Sequence, residues 1–437
     1  MTRRRWIVVA LVTAALLAAA AVVGGWWYHQ RSVAEDIRGS STVEFVAHDP
    51  PHDTPRLPQA VEEVPWPTYG YDNQRTHLAP FRLSPPFRQR WFFGTGFLLE
   101  FPPVVTHDLV VGVNDEGRLY AVNKQNGKLV WDRMFDRCAA TSPTVVGKVV
   151  YVQLMQAKPC RRYPRTQRGA VVALRVSDGK ELWRVTTAVS ESSLLYVDGV
   201  LYYGAWDHAV YALDTRTHEI RWRTETDGEF NGAAAYAART IFIGNNAGSM
   251  YALNAKTGAV RWRARSADGF LRNREYFYAT PTVAYGRVYA GNTDGGVYAF
   301  GATTGNLLWE RRVGTYVYTA PAVWDRKVFV GTYDGHFVAL DAATGDTVWS
   351  FEAPSSIHGA PTVMNGFVYF ATCGTCGLNG VRYAKRGPRR TFALNARTGK
   401  RVWSFPDGQY SPVVADSDQL YLVGQGWVYG MAPVRKR

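Results

Sequence analysis

Four cysteines are the residues of this 437-residue chain whose spacing comes closest to a reactive or metal-binding arrangement. Cys373 and Cys376 stand as Cys-Gly-Thr-Cys, which would supply half of a four-ligand zinc site. Cys138 and Cys160 lack the spacing of a second half. An even count in an oxidising compartment points instead to two disulfides, Cys138 with Cys160 and Cys373 with Cys376. The nine histidines are scattered. No HExxH, GxSxG or phosphate-cradling glycine loop is present. Asp115-Glu116-Gly117 has the form of a tight turn rather than of an acid pair. No catalytic, metal or cofactor residue is therefore assigned.

The elements that must position any site are set by a repeat. "LYAVNKQNGKLVW" ends at Trp131, and related stretches end at Trp183, Trp222, Trp262, Trp309, Trp349 and Trp403. The intervals before Trp183, Trp309 and Trp403 are longer than the others. A period near 40 with strand-like apolar patterning signals a propeller or solenoid. In Ala320–Phe351 four strand-sized pieces, A to D, are separated by Asp325-Arg326, Tyr333-Asp334-Gly335 and Ala343-Thr344-Gly345. Asp-Gly supplies the positive φ that hairpins need. Counting A–B–C units gives eight, from Val110–Val122 to Leu420–Met431. The last lacks a Trp strand, and Arg88–Phe93, carrying Trp91, lies unpartnered ahead of the first. The expected fold is all-β: an eight-bladed propeller of four-stranded antiparallel blades, closed by Arg88–Phe93 beside Leu420–Met431.

The Tyr-Ala-Leu-Asp, Thr-Gly and Trp signature resembles the pyrroloquinoline-quinone (PQQ) type propeller repeat, over about residues 66–433. The lead-in Trp66–Pro80, "WPTYGYDNQRTHLAP", resembles the start of that superfamily's domain. The resemblance implies either a quinone-dependent dehydrogenase or a non-catalytic propeller such as the subunit of the outer-membrane β-barrel assembly machinery. Dehydrogenases of that kind carry adjacent cysteines beside the quinone, and Glu, Asn and Asp groups around a calcium ion. This chain has no Cys-Cys pair and no evident acidic set for a hard cation. No cofactor is expected, with PQQ and calcium as the alternative.

The places where the repeat breaks carry the candidate sites. The B–C turn of blade two grows to Gln156–Gly169, that of blade seven to Cys373–Arg390, and the D–A connection into blade five to Arg265–Thr280. In a four-stranded meander these loops share one face. They gather a basic rim of Arg161, Arg162, Arg165, Arg272, Arg274, Lys385, Arg386, Arg389 and Arg390, interleaved with tyrosines. Basic and aromatic groups together suit an acidic glycan, a lipid headgroup or an acidic protein surface. A second candidate is a funnel at the axis. Three places before the proline that opens strand A stand Glu191, Asn231, Tyr278, Tyr318, His358 and Gln409, varied and polar as a binding mouth would be.

Residues 6–28 contain no charge. As a helix they are long enough to span about 30 Å of hydrocarbon. Arg3–Arg5 precede them, and Trp26, Trp27 and Tyr28 close the span, as in a cytoplasm-in anchor. The expected organisation is anchor 1–28, Pro-rich linker 29–65 without packed structure, propeller 66–433 and basic tail 434–437. Net charge is +14, but Lys and Arg are spread through the repeats, and nucleic acid is not an expected partner. The sequence reads as a single-pass, extracytoplasmic binding or scaffold protein of a bacterial-type envelope. A PQQ-dependent oxidoreductase is the first alternative, and an envelope sensor or acidic-glycan binder the second.

Overall fold

Alternating apolar residues and left-handed turns fold each repeat into a four-stranded antiparallel sheet, and eight such sheets form a ring in the computed structural model. The structure describes residues 3–31, 36–47, 64–160, 168–266, 275–374, 376 and 384–434. Blade six shows the pattern, with strands Ala322–Trp324, Lys327–Gly331, His336–Asp341 and Thr347–Glu352. Its A–B turn uses Asp325 and Arg326 in the left-handed region. That backbone hand matches the twist of the flanking strands. The ring closes as the sequence requires. Phe87–Gly94 pairs antiparallel with Trp427–Pro433, and blade eight takes its outer strand from the far end of the domain.

The apolar core lies between neighbouring blades. Trp131, Trp222, Trp262, Trp309 and Trp349 of the D strands reach over the C–D turn of the next blade and donate their indole N–H to a carbonyl there. Trp131 bonds Val176 O at 2.8 Å, Trp222 bonds Ala255 O at 2.9 Å and Trp309 bonds Ala342 O at 3.1 Å. The ring presses on the turn glycine. A Cβ on Gly345, whose φ is positive, would stand 2.8 Å from Trp309. Blade three has His218 at that position, also left-handed, and its imidazole lies 4.6 Å from the Trp183 ring. Trp91 obeys the same rule, bonding Lys124 O at 2.9 Å, so the closing strand is a full member of the repeat.

The lead-in does more than enter the domain. Residues 66–79 wind around the axis and pair with the innermost strands. Trp66 bridges Val105 of blade one, and the carbonyls of Pro67, Asn73, Gln74, Thr76 and His77 accept N–H groups of Val145, Tyr236, Val283, Val323 and Val363. Arg75, fully buried, supplies what the backbone misses. Its Nε donates to Ala234 O at 2.9 Å and its Nη2 to Leu194 O at 3.3 Å, tying in blades three and four. Burial pushes its pKa down to about 10, with the Asp72 carboxylate opposing, so it remains a cation.

The stretch 29–65 does not stay free of packed structure. Within it, residues 36–47 pair first along the outer strand of blade five, Leu307–Arg312, and then run onto the face of the A–B and C–D turns. Ile37 and Glu310 exchange backbone hydrogen bonds at 2.7 and 3.1 Å, and Gly39 N–H donates to Thr344 O at 3.0 Å. Buried Arg287 holds the segment from below, donating to Ser40 O at 2.7 Å and Val43 O at 2.6 Å. The sequence signal is weak because the tie is mostly backbone carbonyls meeting one arginine of a distant blade.

Two substitutions test these locks by chemical denaturation. Trp309→Ala should cost ~3–5 kcal/mol through the cavity it leaves. Arg75→Met should cost ~3 kcal/mol or more, because several buried carbonyls lose their donor at once.

Candidate functional site

The B–C turns and D–A connections do share one face. Phe135 N–H donates to Gly117 O at 3.0 Å and Tyr333 N–H to Thr315 O at 3.0 Å, joining the two loop types around the ring. The chain turns inward just before strand A, and side chains at that point converge on the axis. Tyr278 and Tyr318 stand edge to face at 4.6 Å, and Tyr318 lies 6.0 Å from the His358 ring. Across the opening, Asn231 Nδ2 donates to Glu191 Oε2 at 2.6 Å. Five of the six expected funnel residues are therefore brought together.

Gln409 is the exception. Its side chain is buried and its Nε2 lies 3.5 Å from Cys373 Sγ, beside the disulfide rather than in the opening. The next residue, Tyr410, takes a left-handed backbone and presents its ring instead, 5.1 Å from His358. Backbone hand, invisible in a register of side chains, exchanges the two positions.

Sequence reasoning misses two groups. Glu100 holds the same place before Pro103 that Tyr318 holds before Pro321, and extending the register to blade one would find it. Its Oε1 lies 3.6 Å from His358 Nε2. Asp115, on the B–C turn of blade one, stands behind it. Burial, then the charge of Glu100, pushes Asp115 up to about 8. Burial likewise lifts Glu191 to about 7, against the Asn231 hydrogen bond. The funnel is thus divided, with carboxylates from blades one and three facing rings from blades five to eight. Tyr333 backs the aromatic half, with its hydroxyl 2.5 Å from His358 Nδ1.

The floor is closed. Tyr69 of the lead-in and Phe101 meet at 6.0 Å across the axis, and the space left above them is about 40 Å³. That is space for about three waters, each needing ~10–15 Å³ by the same measure. Among the described residues, no group of three or more His, Cys, Asp or Glu is placed to hold a metal ion.

Both disulfides are formed, with Cα separations of 5.4 Å for Cys138–Cys160 and 5.5 Å for Cys373–Cys376. The first ties the blade-two insertion to the incoming D–A connection. The second backs the aromatic half of the funnel, packed with Tyr333, Tyr318 and Tyr410.

The basic rim is only partly covered. Arg161, Arg162, Arg165, Arg272 and Arg274 lie outside the described residues. Lys385 pairs with Glu352 at 2.7 Å. Arg390 donates to Ser404 Oγ at 3.1 Å, and Arg389 binds Gln425 and Gln409 side chains at 2.5 and 3.2 Å. Lys385 and Arg390 line a lateral groove of about 710 Å³ between blades six and seven, directed away from the axis. Arg386 is exposed.

A family model of PQQ-type repeats, described as outer membrane protein assembly factor BamB, matches residues 82–161, 207–321 and 314–432. A curated relative, the outer membrane protein assembly factor BamB of Legionella pneumophila (strain Paris), is 26% identical over 152 residues, 33% of this chain. The chain spans about 38% of that relative's length. Among solved structures, BamB from Moraxella catarrhalis superposes with a TM-score of 0.64 at 17% identity, covering 79% of this chain and 100% of that one. Quinohemoprotein alcohol dehydrogenase from Comamonas testosteroni gives 0.68 at 13% identity, covering 85% and 81%. At these identities the structural likeness concerns the fold.

The funnel carboxylates set a pH dependence. The values of about 8 for Asp115 and about 7 for Glu191 lie above their ordinary 3.8 and 4.5, so the folded state binds protons that the unfolded chain releases. Their contribution to stability is full below about pH 4 and is lost as pH rises through about 7 to 8. Melting curves from acidic to mildly alkaline pH should show that decline, and Asp115→Asn with Glu191→Gln should flatten it.

Proposed function

The chain belongs to the BamB family of PQQ-type repeat propellers, and from that premise we propose that it is a membrane-tethered, non-catalytic binding or scaffold protein of the cell envelope. The observation that carries the reading is the stoppered funnel. A chamber of about 40 Å³ leaves a contact surface, with no room for a substrate beside a three-ring quinone. The residues around it do not fit a calcium-bound quinone, and no redox step is assigned to them. The Legionella relative is named for outer-membrane protein assembly, which supports a role among envelope proteins.

A protein segment fits the funnel face better than an acidic glycan. The Glu100 carboxylate, joined by Asp115 and Glu191 as they ionise with rising pH, would repel a polyanion at the axis. Next to the rings of Tyr278, Tyr318 and Tyr410 they offer seats for basic and apolar side chains. Tethering is supported by the helix Arg3–Arg31, whose Trp6–Trp27 stretch has a mean hydropathy of 2.7. Arg3–Arg5 at its start favour a cytoplasmic N-terminus.

Adding PQQ and calcium to the purified protein should produce no new absorption band and no dye-linked alcohol oxidation. Either signal overturns the non-catalytic reading. A photocrosslinking amino acid at Tyr318 or Tyr410 should capture a discrete protein in intact cells, and one at Thr257, on the opposite face, should not. Capture from Thr257 alone would put the partner on the other side of the ring.

A further inference from the structure

The space at the mouth of the funnel has walls of two kinds. Tyr278, Tyr318, His358 and Tyr410 line it from blades five to eight, and Glu100 and Asn231 line it from blades one and four. The rings are crossed rather than stacked. Tyr278 and Tyr318 meet at 63°, and His358 and Tyr410 at 76°. Crossed rings do not cover one another face to face, and π surface is left for a further group.

The polar groups of the mouth are mostly acceptors short of a donor. Glu100 and His358 have side chains only 24% and 16% exposed, and Oε1 of the first lies 3.6 Å from Nε2 of the second, beyond hydrogen-bond length. The imidazole is engaged on its other side, by the Tyr333 hydroxyl at Nδ1. Glu191 receives one hydrogen bond, from Asn231 Nδ2 at 2.6 Å. Asn231 Oδ1 accepts in turn from Asn246 Nδ2, and the buried Asn246 Oδ1 has no donor among the described residues. The Tyr278 and Tyr318 hydroxyls make no hydrogen bond among the described residues. Burial, then the charges of Glu191 and Glu100, holds the Tyr278 hydroxyl well above its ordinary range, so it stays a neutral phenol whose oxygen can accept.

No Lys or Arg among the described residues answers these carboxylates. Glu116 is paired with Lys158 at 3.8 Å and Glu229 lies 4.0 Å from His208, whereas Glu100 and Glu191 have no such cation. A flat, positively charged group rich in donors corrects the imbalance. A guanidinium carries five N–H donors in one plane, stacks on aromatic faces and is more weakly hydrated than an ammonium. Room for about three waters suits its three nitrogens.

Resting on the protein-contact reading of the funnel, we propose that its mouth is a seat for one arginine side chain of the partner, with the guanidinium on the Glu100 and Glu191 carboxylates and against the rings of Tyr278, Tyr318 and Tyr410. The seat makes the funnel selective for a partner segment that presents an arginine at its tip. A lysine meets the same charge but gives up more hydration and stacks less well.

The full-length protein in lipid nanodiscs, at about pH 8 and so above the Glu191 value of about 7, tests this. The probes are N-acetyl-arginine amide, N-acetyl-lysine amide and N-acetyl-citrulline amide, with binding read by saturation-transfer NMR of the probe. Citrulline keeps the shape of arginine and loses its charge. The arginine probe should bind saturably, the lysine probe several-fold more weakly, and the citrulline probe not measurably. Glu100→Gln should weaken the arginine probe about tenfold. Tyr318→Leu should weaken it several-fold. Glu225→Gln, on the outer strand of blade three, should leave it unchanged. Thermal melting checks that each variant is folded. Were Tyr318→Leu to unfold, Glu100→Gln, which removes a charge without changing shape, decides alone. Equal affinity for the arginine and citrulline probes, no saturable arginine binding, or arginine binding untouched by Glu100→Gln overturns the seat. Photocrosslinking from Tyr410 separates the seat from the reading beneath it. A captured protein with no arginine binding refutes the seat alone, whereas arginine binding with no captured protein refutes the protein contact and leaves the seat standing.

Discussion

The ring depends on a strip of backbone at its centre. Eight blades present eight short innermost strands, each with an inner edge of N–H and C=O groups facing the axis. Unpaired edges are costly when buried and adhesive when exposed. Residues 66–79 answer for seven of the blades at once, by carbonyls where the backbone reaches and by the Arg75 guanidinium where it does not. The same strip seals the channel. Tyr69 cannot be both the floor of the funnel and absent from it, so the stabilising device and the shallow site are one feature.

From that constraint follows the character of the functional face. With the axis filled, the chemistry available lies in the short D–A connections that rise around the stopper. Their residues are not equivalent from blade to blade. Carboxylates gather at blades one and three, rings at blades five to eight, and His358 spans the divide to Glu100. Raised carboxylate pKa values and an incompletely compensated negative charge at the mouth are costs to the free fold. They are reasonable for a surface that a basic partner covers. The Cys373–Cys376 bridge and Tyr333 stiffen the aromatic half, so its rings are presented with little freedom to lose on contact.

The N-terminal part of the chain, in contrast, works as a series of fasteners. Residues 36–47 clip across blades five and six, 66–79 thread the axis, and Phe87–Gly94 completes blade eight. Each joins parts of the sequence that lie far apart, or opposite blades of one ring. The contacts are backbone to backbone or through a single buried arginine. Such ties leave the repeats themselves free of any special residue.

The periodic part of the molecule is legible in the order of its amino acids. The Trp intervals and turn glycines suffice for eight blades, for closure by Trp91 and for the shared face of the long loops, because each blade buries the same ring against the same turn. His218 in place of glycine stands out there as an oddity, and the fold makes it a stacking partner for Trp183. The features that occur once belong to the assembled ring alone. The axial path of Trp66–Ala79, the clip over Arg287 and the exchange of Gln409 for Tyr410 leave no periodic trace. They arise from backbone hydrogen bonds and a single left-handed residue. A pattern of side-chain types records burial and period, whereas the partners of a backbone N–H or C=O are chosen by proximity that exists only after the ring has closed.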